Sequence, residues 1–152
     1  MENLSGLRTP YFLVDDGLLR QNLAILREVA EQAACRILLA QKAFSMFSAY
    51  PVLREFLSGT TASGLYEARL GKEEFGGETH VFSPAYREDE FEELLRYADH
   101  LVFNSPSQVR KYARRARAAG KSVGLRVNPE CSTQEGHGIY DPCSPGSRLG
   151  TT

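Results

Sequence analysis

The sequence has no surplus of charge of either sign and no long apolar run. It carries 18 Lys and Arg against 19 Asp and Glu, so it lacks the basic surplus that a nucleic-acid partner requires. No apolar stretch approaches the ~20 residues of a membrane-spanning helix. Residues 1–10 also lack the apolar core of a signal peptide. We therefore expect a cytoplasmic protein that binds neither nucleic acid nor membrane.

Cysteine is scarce as well. Three cysteines, an odd number, do not form a disulfide framework. Cys131, His137 and Cys143 are evenly spaced but match no familiar zinc pattern, so we expect polar loop residues there and no metal. The remaining composition, 42% hydrophobic and 24% charged over 152 residues, is typical of one soluble domain with one core.

Strand-like and helix-like segments alternate along the chain. Asp15 or Asp16 can cap a helix, Ser105 and Pro106 suit the start of another, and Gly120 suits its end. Apolar residues at helical spacing fill the intervening segments, such as those at positions 52–57 and 91–98. The strand-like runs begin near Ile37, Thr60, His80, His100 and Ser122. This repeated unit predicts a parallel sheet, and residues 128–152 read as loop.

Two α/β architectures share this alternation. An open, doubly wound sheet could close with five strands, whereas an eightfold barrel needs ~250 residues. Length favours the open sheet. However, no Gly-x-Gly-x-x-Gly follows a strand, and Gly71, Gly76 and Gly77 interrupt or end a helical segment instead. In either architecture, sites form at the carboxyl ends of the strands.

Lys42 is the first candidate for chemistry. It ends a strand-like apolar run and has no carboxylate next to it in sequence. Burial would disfavour its ammonium, so the amine could condense with an aldehyde such as that of pyridoxal phosphate. The alternative is a lysine that only extends to water where a strand ends.

A series of ordered segments then resembles the N-terminal part of one family, the carboxynorspermidine decarboxylases, also called carboxyspermidine decarboxylases. Together the segments cover nearly the whole chain, and their order favours this family over related decarboxylases of diaminopimelate, ornithine or arginine. They are TPYF at 9–12, KAFSMFS at 42–48, GTTAS at 59–63, EARLGKEEFGG at 67–77, FSPAY at 82–86, VFNS at 102–105, GLRVNPE at 124–130 and YDPCSPGSRLG at 140–150.

The resemblance implies an alanine-racemase-like fold, in which a (β/α)8 barrel binds pyridoxal 5'-phosphate. About five strands of that barrel would lie in this chain, as a single domain over residues 1–152, without the family's C-terminal β-domain. It also implies a homodimer with shared active sites, and a polyamine precursor as the small-molecule substrate. Carboxynorspermidine or carboxyspermidine would lose its carboxylate to give norspermidine or spermidine, and Lys42 would be the lysine that bonds to the cofactor.

Other positions have both a site role and a structural alternative. Ser63 and Glu67 could contact the cofactor ring or order the site, or they could be a helix cap and a solvated glutamate. Arg126, between the apolar residues Leu125 and Val127, is expected to be buried in a strand, where it needs a partner. It could orient the cofactor or form a structural ion pair. Asn104 could be a loop cap. His80 and His100 read as strand-start histidines with satisfied hydrogen bonds.

The length of the chain bears on whether it is active, even if it belongs to this family. The family chain is more than twice as long as these 152 residues. We therefore expect this fragment to be inactive alone. The alternatives are a noncatalytic protein that binds pyridoxal phosphate, and an inert fragment that acquires a site only with a partner that supplies the missing half.

Overall fold

Strands and helices alternate along the part of the chain that the structure, a computed structural model, describes: residues 6–133 and 141–152. The strands are β1 Leu38–Ala40, β2 Gly59–Ala62, β3 Glu78–Phe82, β4 His100–Phe103 and β5 Ser122–Leu125. The helices are α1 Asp16–Gln32, α2 Tyr50–Leu53, α3 Leu65–Leu70, α4 Glu88–Tyr97 and α5 Pro106–Ala118. A 3-10 turn at Phe47–Ala49 precedes α2, and a π turn at Gly71–Phe75 extends α3.

Local sequence signals explain where the helices begin and end. The Asp15 carboxylate accepts a hydrogen bond from the Leu18 amide, and the Ser105 hydroxyl accepts one from the Gln108 amide. Both are N-caps of the predicted kind. Gly76 stops the π turn at a φ of +76°, in the left-handed region that glycine adopts without a steric penalty. The predicted helix at 52–57 is shorter than expected, because α2 ends at Leu53 and a turn follows.

The five strands form one parallel sheet in the order β1-β2-β3-β4-β5. Each strand therefore pairs with the next strand in sequence, as in a barrel wound in one direction. A doubly wound sheet reverses its strand order at a switch point, and this sheet does not. The prediction of a partial barrel with about five strands is confirmed, and the open-sheet alternative is wrong.

Helices pack on one face of the sheet and bury its alternate side chains. On β3, Thr79 and Val81 are buried, while Glu78, His80 and Phe82 are half-buried on the opposite face. This alternation follows from the pleat of a strand. The larger core cluster joins β2, β3 and β4 to α3, α4 and α5, and its buried side chains include Val81, Phe91, Leu101, Phe103 and Tyr112.

A second core cluster lies beneath α1 and α2. Its buried members are Leu23, Leu39, Tyr50, Leu53, Leu57 and Phe75. The Tyr50 and Phe75 rings meet edge to face, with 5.5 Å between their centroids. On the predicted apolar face of α1, Leu23 is buried, Leu19 and Ala30 are half-buried, and Leu26 is exposed. None of the helices in the described part of the chain combines the length and the hydropathy that a membrane crossing needs.

Candidate functional site at the carboxyl ends of the strands

Lys42 lies in a turn just after β1, at the carboxyl edge of the sheet. The amides of Ala43 and Phe44 donate to the Ala40 carbonyl over 2.9 and 3.2 Å, which closes this turn. The Lys42 side chain is exposed, which agrees with the alternative of a lysine that extends to water and not with burial of its amine. β1 has only three residues, and the chain turns toward solvent before the lysine is reached. Within the described residues, no carboxylate pairs with Lys42.

The residue before Lys42, Gln41, is buried, and its side-chain hydrogen bonds hold the turn in place. Gln41 is 2% exposed, and its Nε2 donates to the Glu67 carbonyl over 2.8 Å. Its Oε1 accepts a hydrogen bond from the Tyr50 hydroxyl over 3.0 Å. Burial, and next the charge of Glu67, raise the pKa of Tyr50, so this phenol remains a donor. Gln41 therefore ties the end of β1 to the helix that follows β2.

Ser63 lies at the next strand end, between β2 and α3, and Glu67 lies in the first turn of α3. The Ser63 amide donates to Glu67 Oε2 over 2.6 Å. A glutamate in the first helical turn that reaches back to an amide before the helix makes half of a capping box. The alternative of a Ser63 helix cap is wrong, because Gly64 is the N-cap of α3 and no side chain caps it. Glu67 is half-buried and hydrogen-bonded, so it is not the solvated glutamate of the structural alternative, and Ser63 itself is exposed. Through Gln41, the structure brings both residues to the strand end that adjoins the Lys42 turn.

Arg126 follows β5, at the other end of the strand order from Lys42. Its guanidinium carbon lies 4.7 Å from the centroid of the Phe82 ring, a cation–π contact. Arg126 is half-buried and pairs with no carboxylate in the part of the chain that the structure describes. The expectation of a buried strand arginine with an ionic partner is therefore wrong, because β5 ends at Leu125 and leaves the side chain over an aromatic face.

The C-terminal segment returns to the strand ends. Asn104 Nδ2 donates to the Arg148 carbonyl over 2.9 Å, and the Gly150 amide donates to Asn104 Oδ1 over 2.6 Å. The buried Asn128 amide donates to the Thr151 carbonyl over 2.7 Å. This docking was missed by sequence reasoning, although Asn104, directly after β4, was a usable signal. His137, one of the three residues considered for a zinc pattern, lies outside the described residues.

The residues at this edge suit one end of pyridoxal phosphate. The exposed Lys42 amine can reach an aldehyde, and Arg126 supplies a cation at the same edge of the sheet. A phosphate group is usually held by free backbone amides. The Leu149 and Gly150 amides already bond to Ser147 and Asn104. The described residues therefore fit the aldehyde end of the cofactor and offer no evident cradle for its phosphate.

Comparison with known proteins gives a consistent result. No family model matches the chain. It is 43% identical over 97% of its length to the carboxyaminopropylagmatine decarboxylase of Synechocystis. It is 39% and 38% identical, over 95% of its length, to carboxynorspermidine/carboxyspermidine decarboxylases of Herminiimonas arsenicoxydans and Campylobacter jejuni.

A solved structure agrees with these relatives. The crystal structure of Campylobacter jejuni carboxynorspermidine decarboxylase complexed with norspermidine matches 95% of this chain with a TM-score of 0.82 and 36% identity. The resemblance expected from the sequence motifs is therefore confirmed. The chain spans only 37–39% of the length of the three curated relatives and 36% of the crystallised chain.

Proposed function

We propose that this chain, which resembles carboxynorspermidine/carboxyspermidine decarboxylases over nearly its whole length, is the N-terminal portion of the barrel of such a carboxy-lyase. The reaction would be the pyridoxal-phosphate-dependent decarboxylation of a carboxylated polyamine precursor. The observation that carries the proposal is the position of Lys42 in a turn at the carboxyl end of β1, where its amine pairs with no carboxylate of residues 6–133 and 141–152. Barrel enzymes place their catalytic groups at this edge.

Lys42 would bind the cofactor covalently through its amine, and Gln41 would fix the turn that presents it. The chemistry that bound pyridoxal phosphate supplies is an electron sink for the pair released when a carboxylate leaves as carbon dioxide. Lys42 suits this role in one respect, because no carboxylate in the described part of the chain holds its amine. The reactivity of the Lys42 amine would then depend on how far other residues shield the strand ends from solvent.

Ser63, Glu67 and Arg126 would complete the cofactor-binding set. Glu67 would hold the turn after β2 through the Ser63 amide, which keeps the Ser63 side chain beside the Lys42 turn. Arg126 would place a cation across the same edge, with its stem packed on Phe82. In this arrangement Glu67 positions other groups, while Ser63 and Arg126 could contact the cofactor directly.

The substrate class has a second candidate. Among the relatives reported above, the carboxyaminopropylagmatine decarboxylase has the higher identity, 43% against 39% and 38%. Carboxyaminopropylagmatine is therefore a candidate beside carboxynorspermidine and carboxyspermidine. Carbon dioxide release from each of the three compounds, measured in parallel, would rank them.

The family resemblance also supports two broader proposals. One is a cytoplasmic location, with which the three free cysteines Cys35, Cys131 and Cys143 agree. The other is a homodimer with shared active sites in the complete protein. For the 152 residues alone, we propose cofactor attachment without turnover, since the chain spans little more than a third of its relatives. The alternatives are a noncatalytic pyridoxal-phosphate binding protein and an inert fragment.

The first test is covalent labelling. The purified chain is incubated with pyridoxal phosphate, reduced with borohydride and digested, and the labelled peptide is identified by mass. We expect one adduct on Lys42, which is absent in Lys42→Ala and retained in Lys121→Ala, a control that precedes β5 at the amino edge. Labelling spread over surface lysines, or unchanged in Lys42→Ala, would contradict the proposal.

A further inference from the structure

Two histidines and a glutamate meet on the sheet face that carries no helices. His80 on β3 and His100 on β4 are register partners, and Glu78 lies two residues before His80 on the same face. The two imidazole rings stack, with centroids 4.0 Å apart and planes 25° apart. All three side chains are half-buried. This cluster lies toward the amino ends of the strands, away from the Lys42 edge.

The ring nitrogens converge on one carboxylate oxygen. His80 Nε2 lies 3.2 Å from Glu78 Oε2, and His100 Nε2 lies 3.9 Å from the same oxygen. One potential ligand atom from each residue lies within 4.8 Å of the others. In a tetrahedral zinc site with bonds near 2.1 Å, ligand atoms are about 3.4 Å apart. The contact between His80 Nε2 and Glu78 Oε2 is close to that spacing. To bind one ion, the stacked imidazole rings would have to rotate so that both Nε2 lone pairs point to it.

Among the described residues, no side chain outside the cluster pairs with Glu78 Oε2, whose hydrogen bond with His80 a metal ion would replace. Arg36 pairs with the other oxygen, Glu78 Oε1, which orients the carboxylate in the way outer partners orient metal ligands. Arg36 is largely exposed, so solvent screens its repulsion of a bound cation. His100 makes no side-chain hydrogen bond within the described residues, and 3.9 Å is too long for one to Glu78. Its ring nitrogens are thus free to bind another atom.

We propose that Glu78, His80 and His100 form a binding site for a divalent transition metal of the zinc type. Two imidazoles and a carboxylate suit zinc, and three protein ligands leave the fourth position for water. Each neutral ring would present the Nε2 lone pair, with its proton on Nδ1. The metal would bridge β3 and β4 across the open face of the sheet. This site is separate from the proposed cofactor edge and does not depend on it.

The test uses Zn²⁺ in competition with a chromogenic chelator. The background chain carries Cys35→Ser, Cys131→Ser, Cys143→Ser and His137→Asn, which removes the other sulfur and imidazole ligands. We expect one equivalent of Zn²⁺ to bind, and the unfolding midpoint temperature to rise with added Zn²⁺. His80→Gln, His100→Gln and Glu78→Gln should each weaken binding by more than about tenfold.

Two further results decide the proposal. Lys111→Gln, a control on α5 whose amine pairs with Glu88 and not with the cluster, should bind Zn²⁺ as tightly as the background chain. Absence of stoichiometric binding in the background chain would overturn the proposal whether or not the variants fold. Binding that persists in the folded His80→Gln/His100→Gln chain, as judged by its circular dichroism spectrum, would also overturn it.

Discussion

The Tyr50 hydroxyl donates to Gln41 Oε1 over 3.0 Å, and Gln41 immediately precedes Lys42. Tyr50 opens α2, whereas Gln41 follows β1, so the contact joins the outer helix layer to the strand end. Both residues are almost completely buried. The exposed Lys42 therefore follows a residue that is held by a buried hydrogen bond, and the orientation of its turn depends on Gln41 and Tyr50, which solvent does not reach.

Gln41→Leu should destabilise the chain by about 1–3 kcal/mol, because the Tyr50 hydroxyl and the Glu67 carbonyl lose a buried partner. Tyr50→Phe should cost about 1 kcal/mol. The double variant should cost less than the sum, since both changes remove one shared hydrogen bond. Urea unfolding of the four proteins measures this coupling, and strictly additive losses would show that the pair does not act as a unit.

Gly59→Ala should be poorly tolerated, because β2 and β3 approach closely at this point. A Cβ on Gly59 would overlap the Glu78 carbonyl oxygen and lie 2.8 Å from its carbon. Overpacking of this kind costs about 1–3 kcal/mol or more. Gly124→Ala in β5 is the matched control, because its added Cβ meets only Val102 Cγ2 at 3.7 Å, an ordinary van der Waals contact, and should change stability by less than about 0.5 kcal/mol. Equal unfolding midpoints in urea would refute the expected difference.

Asn104→Ala should release the C-terminal segment from the strand ends. The variant loses both side-chain contacts, one to Arg148 and one to Gly150. A loss of about 1 kcal/mol corresponds to about fivefold faster exchange of the Gly150 amide. Hydrogen exchange measures this rate. The rate in Asn104→Asp should lie between those of the parent chain and Asn104→Ala, because aspartate keeps the Oδ1 acceptor and loses the Nδ2 donor. Unchanged exchange at Gly150 in Asn104→Ala would mean that other contacts hold the segment.

Tyr86 should make stability depend on alkaline pH. Its hydroxyl donates to the Val81 and Val102 carbonyls, over 3.1 and 2.8 Å, and burial raises its pKa above the ordinary 10.0. Since the unfolded chain ionises first, this contribution is complete below pH 10.0 and is lost as pH rises above it.

Tyr86→Phe removes this ionisation. The variant should be less stable near neutral pH by about 1–3 kcal/mol, because two strand carbonyls lose a donor. The difference in the free energy of unfolding between the variant and the parent chain should shrink above pH 10.0, because the Tyr86 phenol can ionise only in the parent chain. Thermal unfolding of both proteins across this range provides the measurement, and parallel curves would exclude Tyr86 as the source of the pH dependence.

Local patterns made the strand positions and helix starts predictable. Ser105 and Pro106 determine the start of α5 through contacts within one turn, and each predicted strand lies where alternating segments placed it. Strand order was harder to predict, because two windings share the same local pattern. The sequence favoured one of the two strand orders only through motifs along nearly the whole chain that resemble one enzyme family.

Long-range relationships account for what the sequence did not reveal. The stacking of His80 on His100 depends on the register between two strands, which no local pattern encodes. The docking of Gly150 onto Asn104 joins residues far apart in the chain. Arg126 was expected to be buried because its neighbours are apolar, yet Leu125 and Val127 are themselves exposed. Apolar neighbours indicate burial only where another layer covers the strand.

The sequential strand order bears on how the chain folds during synthesis. Paired residues such as Leu38 and Gly59, or His80 and His100, are only about twenty positions apart. Each strand emerging from the ribosome finds its partner already made, and no strand waits for one from later in the chain. Loops of this length close at low entropic cost. The sheet can therefore grow strand by strand from β1 to β5 while translation proceeds.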